Sequence, residues 1–126
     1  MNYRNLLAAI FGVSFLVSAT AAVAQDLAKG EKVFRKCKVC HSLKEGGKHK
    51  IGPNLFGIIG RSAGGAEGFK YSKAMKEADL IWNENTLISY LQNPKNFIPG
   101  NKMAFPGLKK ADQIIDVIGY IAVNTK

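Results

Sequence analysis

Cysteine and histidine are scarce in this chain of 126 residues, which contains two of each. The cysteines are Cys37 and Cys40, and they belong to one short motif, so no structural disulfide is expected. A zinc site would need further ligands, and the only histidines are His41 and His49. Alternation of apolar and polar residues, internal repeats and low-complexity segments are also missing. These absences favour a small helical domain over a sheet, a disulfide scaffold or a solenoid.

Charge is nearly absent from the start of the chain, where Arg4 is the only charged residue before Asp26. The uncharged run over residues 6–24 ends in Ala22-Val23-Ala24, small residues typical of a secretory cleavage site. We therefore predict a signal peptide over residues 1–24, cleaved after Ala24, and a single domain over residues 25–126. An uncleaved membrane anchor is the alternative, because the run is almost long enough to span a bilayer.

Acidic residues are half as numerous as basic ones, with 9 Asp and Glu against 18 Lys and Arg, and the net charge is +9. The positive electrostatic potential of such a chain favours binding to an acidic protein partner, an anionic membrane surface or a nucleic acid. Aromatic residues interleaved on a basic surface, which single-strand binding uses, are not evident. The pattern therefore disfavours nucleic acid as the partner.

The segment Cys37-Lys38-Val39-Cys40-His41 is the most specific feature of the chain. Two thiols three positions apart with a following histidine are typical of c-type haem attachment. On one helical turn these side chains are neighbours, so two thiols can tether a porphyrin while the imidazole reaches its iron. A thioredoxin-like dithiol is the main alternative, although no βαβ pattern follows the motif.

Helical spacing of apolar residues accounts for much of the remaining chain. We predict helices over residues 27–38, with Asp26 as the N-cap, over 71–78, and over 86–91 after a cap signal at 83–86. A last helix from residue 110 carries one buried stripe: Ile114, Ile115, Ile118, Ile121 and Ala122. Segments 46–60 and 93–107, rich in glycine and proline, are expected to be ordered loops. Loops this long indicate an internal ligand that they surround.

Gly30 lies inside the first predicted helix, where glycine is less favourable than alanine by about 1 kcal/mol. A close packing contact is the expected reason for its presence there.

An electron carrier needs a second ligand that closes the iron site, and Met75, Met103 and His49 are the candidates beyond the leader. Met103 lies in segment 98–107, whose prolines and glycines fix the backbone. A rigid loop can hold a thioether at a metal, which favours Met103. Met75 and His49 remain alternatives at this point.

The chain resembles class I cytochrome c, the soluble bacterial and mitochondrial type, over residues 27–121. The resemblance rests on a series of motifs: Cys37-x-x-Cys40-His41, Gly52-Pro53-Asn54-Leu55, Gly60-Arg61, Gly68-Phe69-x-Tyr71-Ser72, Trp82, Tyr90-Leu91-x-Asn93-Pro94 and Pro99-Gly100-x-Lys102-Met103-x-Phe105. It implies an all-α small cytochrome c fold, with about four to five helices and long loops wrapped around one covalently bound haem c. With the secretory leader, it implies a periplasmic protein.

The resemblance also implies residue roles. His41 and Met103 would be the axial iron ligands, with the carbonyl of Pro53 accepting a hydrogen bond from His41 and Tyr90 lying beside the Met103 sulfur. Arg61, Tyr71 and Trp82 would donate to the haem propionates, and Gly30, Phe34 and Tyr120 would form a crossing of the first and last helices. The remaining cofactor-binding residues implied are Asn101 and Phe105.

Two positions depart from the family's common pattern. Asn101 replaces a threonine that often donates to a propionate, and an amide retains the ability to donate. Met75 replaces an asparagine that often joins a buried water network, which a thioether cannot do.

The implied function is one-electron transfer without enzymatic chemistry, between membrane complexes such as a quinol–cytochrome c reductase and a terminal oxidase or photosynthetic reaction centre. Lysines around the haem edge would steer docking onto acidic surfaces of these complexes: Lys36, Lys50, Lys95, Lys102 and Lys109. The carrier would be a monomer with only transient membrane contact. A haem peroxidase or a gas-binding module would instead need an open iron site.

Overall fold

The computed structural model describes residues 24–126, so residues 1–23 of the predicted signal peptide lie outside the described residues. The helices are, in order, α1 Leu27–Phe34, α2 Lys73–Lys76, α3 Glu84–Gln92, α4 Pro94–Phe97 and α5 Ala111–Asn124. Within this range the only β-type pairing is an isolated bridge between Ser62 and Ile81. The expected all-α fold with about four to five helices is confirmed. None of the helices in the described range is long and apolar enough to cross a membrane.

Helices α1 and α5 cross in close contact at Gly30. A Cβ added to Gly30 would overlap the backbone carbonyl oxygen of Asp116, and would lie 2.8 Å from Tyr120 Cβ. The rings of Phe34 and Tyr120 pack beside this point with centroids 5.5 Å apart. The packing contact expected at Gly30 is therefore confirmed, as is the predicted crossing of the first and last helices.

Helix α1 begins where the sequence indicates but ends earlier. The Asp26 carboxylate caps it by accepting a hydrogen bond from Lys29 N–H at 3.0 Å, and this bond lowers the pKa of Asp26. The predicted end at residue 38 is wrong, since the helix ends at Phe34. Beyond that residue the chain tightens, and Cys37 N–H donates to the Phe34 carbonyl oxygen at 2.8 Å.

The middle helices are short and individually capped. Ser72 caps α2 by accepting from Met75 N–H at 3.1 Å, and α2 covers only part of the predicted segment 71–78. Asn83 and Thr86 form a capping box at the start of α3, which confirms the cap signal. The single turn of α4 was not predicted, because Pro94 indicates a helix end and here occupies the first turn of a new helix.

Helix α5 buries the expected stripe only in part. Ile114, Ile118 and Ile121 are buried, but Ile115 and Ala122 are half-buried. Val117 is fully buried, and Asp116 is 7% exposed. The Asp116 carboxylate accepts a hydrogen bond from Asp26 N–H at 2.8 Å. Trp82 and Tyr90 belong to the same core cluster as Val117 and the three buried isoleucines of α5, next to the site described below.

Candidate haem site

Cys37, Cys40 and His41 share one helical turn that follows α1. Cys40 N–H and His41 N–H both donate to the Cys37 carbonyl oxygen, at 3.0 and 2.9 Å. Both cysteines are free thiols and half-buried, and burial raises the pKa of Cys37 to about 11. Side chains three and four positions apart on such a turn are neighbours. The motif therefore has the geometry needed to present two thiols and one imidazole to a single group.

The His41 ring is held in one orientation by its neighbours. Its Nδ1 donates a hydrogen bond to the Pro53 carbonyl oxygen at 2.7 Å, as the resemblance implied. Gly52 lies directly against the ring, and a Cβ at Gly52 would overlap His41 Cε1. Burial lowers the pKa of His41 and so favours the neutral imidazole. With the proton on Nδ1, the lone pair of Nε2 is available to a metal.

The Met103 thioether lies half-buried against the core, beside Tyr90. The Tyr90 hydroxyl is 3.7 Å from Met103 Sδ. Burial raises the pKa of Tyr90 to about 12, so this hydroxyl keeps its proton at neutral pH and remains a donor. The Trp82 ring packs on Tyr90 with centroids 4.9 Å apart. Tyr90 is thus fixed as a donor beside the sulfur.

The Asn101 side chain donates its hydrogen bonds to backbone carbonyl oxygens at the two ends of α4. Its Nδ2 donates to the carbonyl oxygens of Pro94 and Ile98, both at 2.8 Å. An amide nitrogen has two hydrogens, and both are used in these bonds. Both amide hydrogens of Asn101 are therefore bonded to the backbone at α4, and its donation to a haem propionate stays a prediction.

Arg61 carries a buried donor that lacks an acceptor among the described residues. Its Nη1 and Nη2 donate to the carbonyl oxygens of Phe56 and Asn54, at 3.2 and 3.0 Å, whereas Nε is buried without a partner. Burial also lowers the pKa of Arg61. A buried cationic N–H with no acceptor is costly, and a carboxylate is the acceptor that suits it.

Tyr71 and Trp82, the other two predicted propionate donors, also retain donor capacity. The Tyr71 oxygen accepts from Ala66 N–H at 3.1 Å, which leaves the hydroxyl proton available. Trp82 is 5% exposed, and an indole nitrogen can only donate. Phe105 packs half-buried against the core cluster. These features suit a group that combines a large apolar face with carboxylates.

The alternative ligands are occupied elsewhere. His49 Nε2 contacts the Glu67 carbonyl oxygen at 2.7 Å, and its Nδ1 accepts from Asn54 N–H at 3.0 Å. His49 therefore ties two loops together with both ring nitrogens. Met75 is buried in the core cluster on α2 and is 9% exposed.

Asn54 organises the loop behind His41, a role that was not among the sequence predictions. Its Nδ2 donates to the carbonyl oxygens of Lys44 and Gly47, both at 2.8 Å, and its Oδ1 accepts from Phe56 N–H at 2.7 Å. Asn54 is 8% exposed. A polar residue directly after Gly52-Pro53 is the signal that indicates such a loop-closing amide.

The five lysines proposed for docking are all exposed. Three of them lie next to residues of the site. Lys36 and Lys102 directly precede Cys37 and Met103 in the sequence. Lys50 Nζ donates a hydrogen bond to the carbonyl oxygen of Lys38, within the cysteine motif, at 2.8 Å. Lys95 lies on α4 and Lys109 precedes α5. Among the described residues the ion pairs are Lys29–Asp26 and Lys73–Glu77, so none of the five is neutralised by an ion pair.

The residues present therefore fit a covalently bound haem. The motif offers two free thiols, the half-buried imidazole is favoured in its neutral form with Nε2 available, and the buried Arg61 Nε has no acceptor among the described residues. No part of this fit depends on Asn101.

Comparisons with known proteins point to one family. A profile of the family described as "Cytochrome c" matches residues 27–124. A cytochrome c of Chlamydomonas reinhardtii is 56% identical over 105 residues, which cover 82% of this chain and 94% of that protein. A cytochrome c2 of Blastochloris viridis is 46% identical, with 89% of each chain covered. The solved structure of cytochrome cH from Methylobacterium extorquens matches with a TM-score of 0.73 and 40% identity, covering 78% of this chain and 98% of that one.

Proposed function

The chain belongs to the cytochrome c family, and we propose that it is a diffusing one-electron carrier whose haem iron is held by His41 and Met103. Family membership establishes that the chain binds one covalently attached haem c and that it is an electron-transfer protein rather than an enzyme. The observation that carries the ligand assignment is the pair of hydrogen-bond contacts that orient His41 and Met103. When bound, the haem would supply an iron that takes up one electron from a donor and passes it on to an acceptor.

His41 serves as the proximal ligand because its neighbours leave it one usable nitrogen. The bond from Nδ1 to the Pro53 carbonyl fixes the tautomer and makes Nε2 more basic. Gly52 closes one side of the ring and prevents it from turning. Cys37 and Cys40, on the same turn, tether the porphyrin covalently and keep the imidazole next to it.

Met103 serves as the distal ligand because a rigid, half-buried loop presents its sulfur. Thioether ligation favours the ferrous state and raises the reduction potential relative to harder ligands. Tyr90 donates toward the same sulfur and withdraws electron density from it, which acts in the same direction. Burial around Trp82 and Tyr90 disfavours the additional charge of the ferric state.

Arg61, Tyr71 and Trp82 hold the haem propionates. Each retains a donor for which a carboxylate is a suitable acceptor, and Arg61 Nε is buried without another partner. Binding a propionate there satisfies the orphaned donor and neutralises buried charge in one step. Phe105 contributes apolar packing on the distal loop.

The carrier docks on acidic surfaces of membrane redox complexes, one that reduces it and one that oxidises it. We propose a quinol–cytochrome c reductase as donor and a terminal oxidase or photosynthetic reaction centre as acceptor. Exposed lysines next to the site, such as Lys36, Lys50 and Lys102, provide the complementary charge. Electrostatic steering of this kind raises association rates to the order of 10⁸–10⁹ M⁻¹s⁻¹ at low salt. The carrier acts as a monomer, with contacts small enough to release quickly.

The protein works in the periplasm after removal of residues 1–24. The support for export is the leader-like sequence that ends in Ala22-Val23-Ala24. Haem attachment through two thiols that form no structural disulfide suits an exported protein.

The ligand assignment is tested by Met103→Ala with Met75→Ala as the matched control. Removal of the Met103 thioether should lower the reduction potential and let the ferrous protein bind carbon monoxide rapidly at neutral pH. The Met75 variant, which loses a buried thioether of the core, should keep a potential close to that of the wild type and bind carbon monoxide slowly. Rapid binding in wild type, or a Met103 variant indistinguishable from it, would remove the assignment.

A further inference from the structure

The Asn101 side chain joins the loop that bears Met103 to the preceding helix. Its amide nitrogen donates to Pro94 O, in the first turn of α4, and to Ile98 O at the end of α4, both at 2.8 Å. Its oxygen accepts from Met103 N–H at 3.0 Å and lies 3.4 Å from the Tyr90 hydroxyl oxygen, whose single proton has Asn101 Oδ1 and the Met103 sulfur as alternative acceptors. One side chain thus bridges a helix, the backbone of Met103 and the donor beside its sulfur.

The hydrogen-bond partners also fix the orientation of the Asn101 amide group. The two carbonyls can only accept, so the nitrogen must face α4, and Met103 N–H can only donate, so the oxygen must face Met103. Every donor of the amide is then used. The anchors are rigid, since Pro94 is fully buried and Ile98 is 4% exposed.

The backbone around Asn101 places its side chain for this contact. Asn101 N–H donates to the Ile98 carbonyl at 3.1 Å across Pro99 and Gly100, and Gly100 has φ 88°. Proline followed by glycine with positive φ is the pattern of a type II turn. The bond from Met103 N–H to Asn101 Oδ1 then forms an Asx-turn directly after it. Two successive turns lead the chain from α4 to Met103.

We propose that Asn101 is a positioning residue for Met103, acting as a clamp that holds the thioether at the iron by tying its loop to α4. The proposal rests on the proposed role of Met103 as a ligand. In this chain the distal loop is held from α4 through Asn101, and the propionates are left to Arg61, Tyr71 and Trp82. A flexible thioether stays bound only if its backbone is fixed, so the clamp sets how easily another ligand displaces it.

Removal of the Asn101 side chain should therefore weaken the bond between Met103 and the iron more than it lowers the stability of the fold. In Asn101→Ala, the bridge to α4 and the Asx-turn are both lost. We expect the dissociation constant of added imidazole for the ferric iron to fall about tenfold or more, the change expected from the loss of one or two net hydrogen bonds. The matched control is Asn96→Ala, an exposed amide on the same helix α4.

The experiment uses the haem-loaded protein and two measurements. Imidazole is titrated while the sulfur-dependent absorption band of the ferric protein is followed, and amide hydrogen exchange is measured by NMR. In Asn101→Ala, exchange of the Met103 amide should accelerate by about tenfold or more, while the Val117 amide in the core of α5 should keep its rate. Asn96→Ala should match the wild type in both measurements.

Asn101→Ser provides the decisive case if the alanine variant fails to fold. Serine retains an acceptor for Met103 N–H but cannot reach both carbonyls on α4, so imidazole should bind more tightly than in wild type. Unchanged imidazole affinity in the Asn101 variants would overturn the clamp while leaving Met103 as a ligand. Equal acceleration at Met103 and Val117 would also overturn it, since the effect would then be global. A wild type without the sulfur-dependent band would instead refute the proposed function.

Discussion

The crossing of α1 and α5 makes a sharp prediction for Gly30→Ala. An alanine Cβ would overlap the Asp116 carbonyl oxygen, a backbone atom of α5. It would also crowd Tyr120 Cβ, which is bonded directly to the backbone of the same helix. Rotation of a side chain cannot relieve this overlap, so the two helices must separate.

The magnitude follows from opposing contributions. Overpacking typically costs about 1–3 kcal/mol, and separation of the helices also weakens the Asp26–Asp116 hydrogen bond, worth about 1 kcal/mol. Alanine regains about 1 kcal/mol of helix preference over glycine. The net expectation is a loss of about 2 kcal/mol in the free energy of unfolding. With a urea slope of about 2 kcal/mol per M, the midpoint falls by about 1 M.

The assay is urea unfolding of the haem-loaded protein followed by circular dichroism, with Gly119→Ala as the matched control. Gly119 is a buried glycine on α5, and its added Cβ would meet only side-chain atoms of Gln25, including Cβ at 2.9 Å, in the exposed segment that precedes α1. Because this segment can shift more easily than the backbone of a packed helix, the control should lose clearly less stability than Gly30→Ala. A wild-type midpoint for Gly30→Ala would show that α1 and α5 can accommodate an added Cβ at their crossing.

Three further predictions concern the site, the docking surface and the first helix. Gly52→Ala should displace the His41 ring and weaken its bond to Pro53, giving a ferric visible spectrum with a high-spin component; a wild-type spectrum would contradict the packing argument. Electron transfer to an acidic partner should slow as salt shortens the screening length to about 8 Å, and Lys50→Gln should reduce this salt dependence more than Lys126→Gln; a salt-independent rate would exclude steering. Asp26→Ala should destabilise the protein near neutral pH, with Asp26→Asn retaining most of the cap. Because the folded state lowers the pKa of Asp26 below 3.8, its charge contributes stability at higher pH that is lost as pH falls through the lowered pKa. The stability gap between wild type and Asp26→Ala should therefore narrow in acid, and a constant gap would show that the carboxylate charge is unimportant.

Features that depend on local spacing could be predicted from the sequence. The turn that carries Cys37, Cys40 and His41 and the cap at Asn83 each depend on residues a few positions apart. The close contact at Gly30 was also foreseeable, because a glycine inside a helix calls for a packing reason.

Features that depend on the assembled fold could not be predicted. Asp116 interrupts an apolar stripe, and its partner Asp26 lies 90 positions earlier in the chain. The hydrogen bonds of Asn101 exist only because a type II turn returns its side chain to α4. A single turn such as α4, begun by a proline, has no periodic signal that distinguishes it from a loop.

We propose that a haem bound through Cys37 and Cys40 is held at its iron by His41 and Met103. The visible and near-infrared spectrum of the purified ferric protein, recorded for wild type, Met103→Ala and Met75→Ala, tests this ligand pair. The sulfur-to-iron absorption band should be present in wild type, absent in Met103→Ala and retained in Met75→Ala. A band that persists without Met103, or a wild type that lacks it, would show that the Met103 sulfur is not an iron ligand.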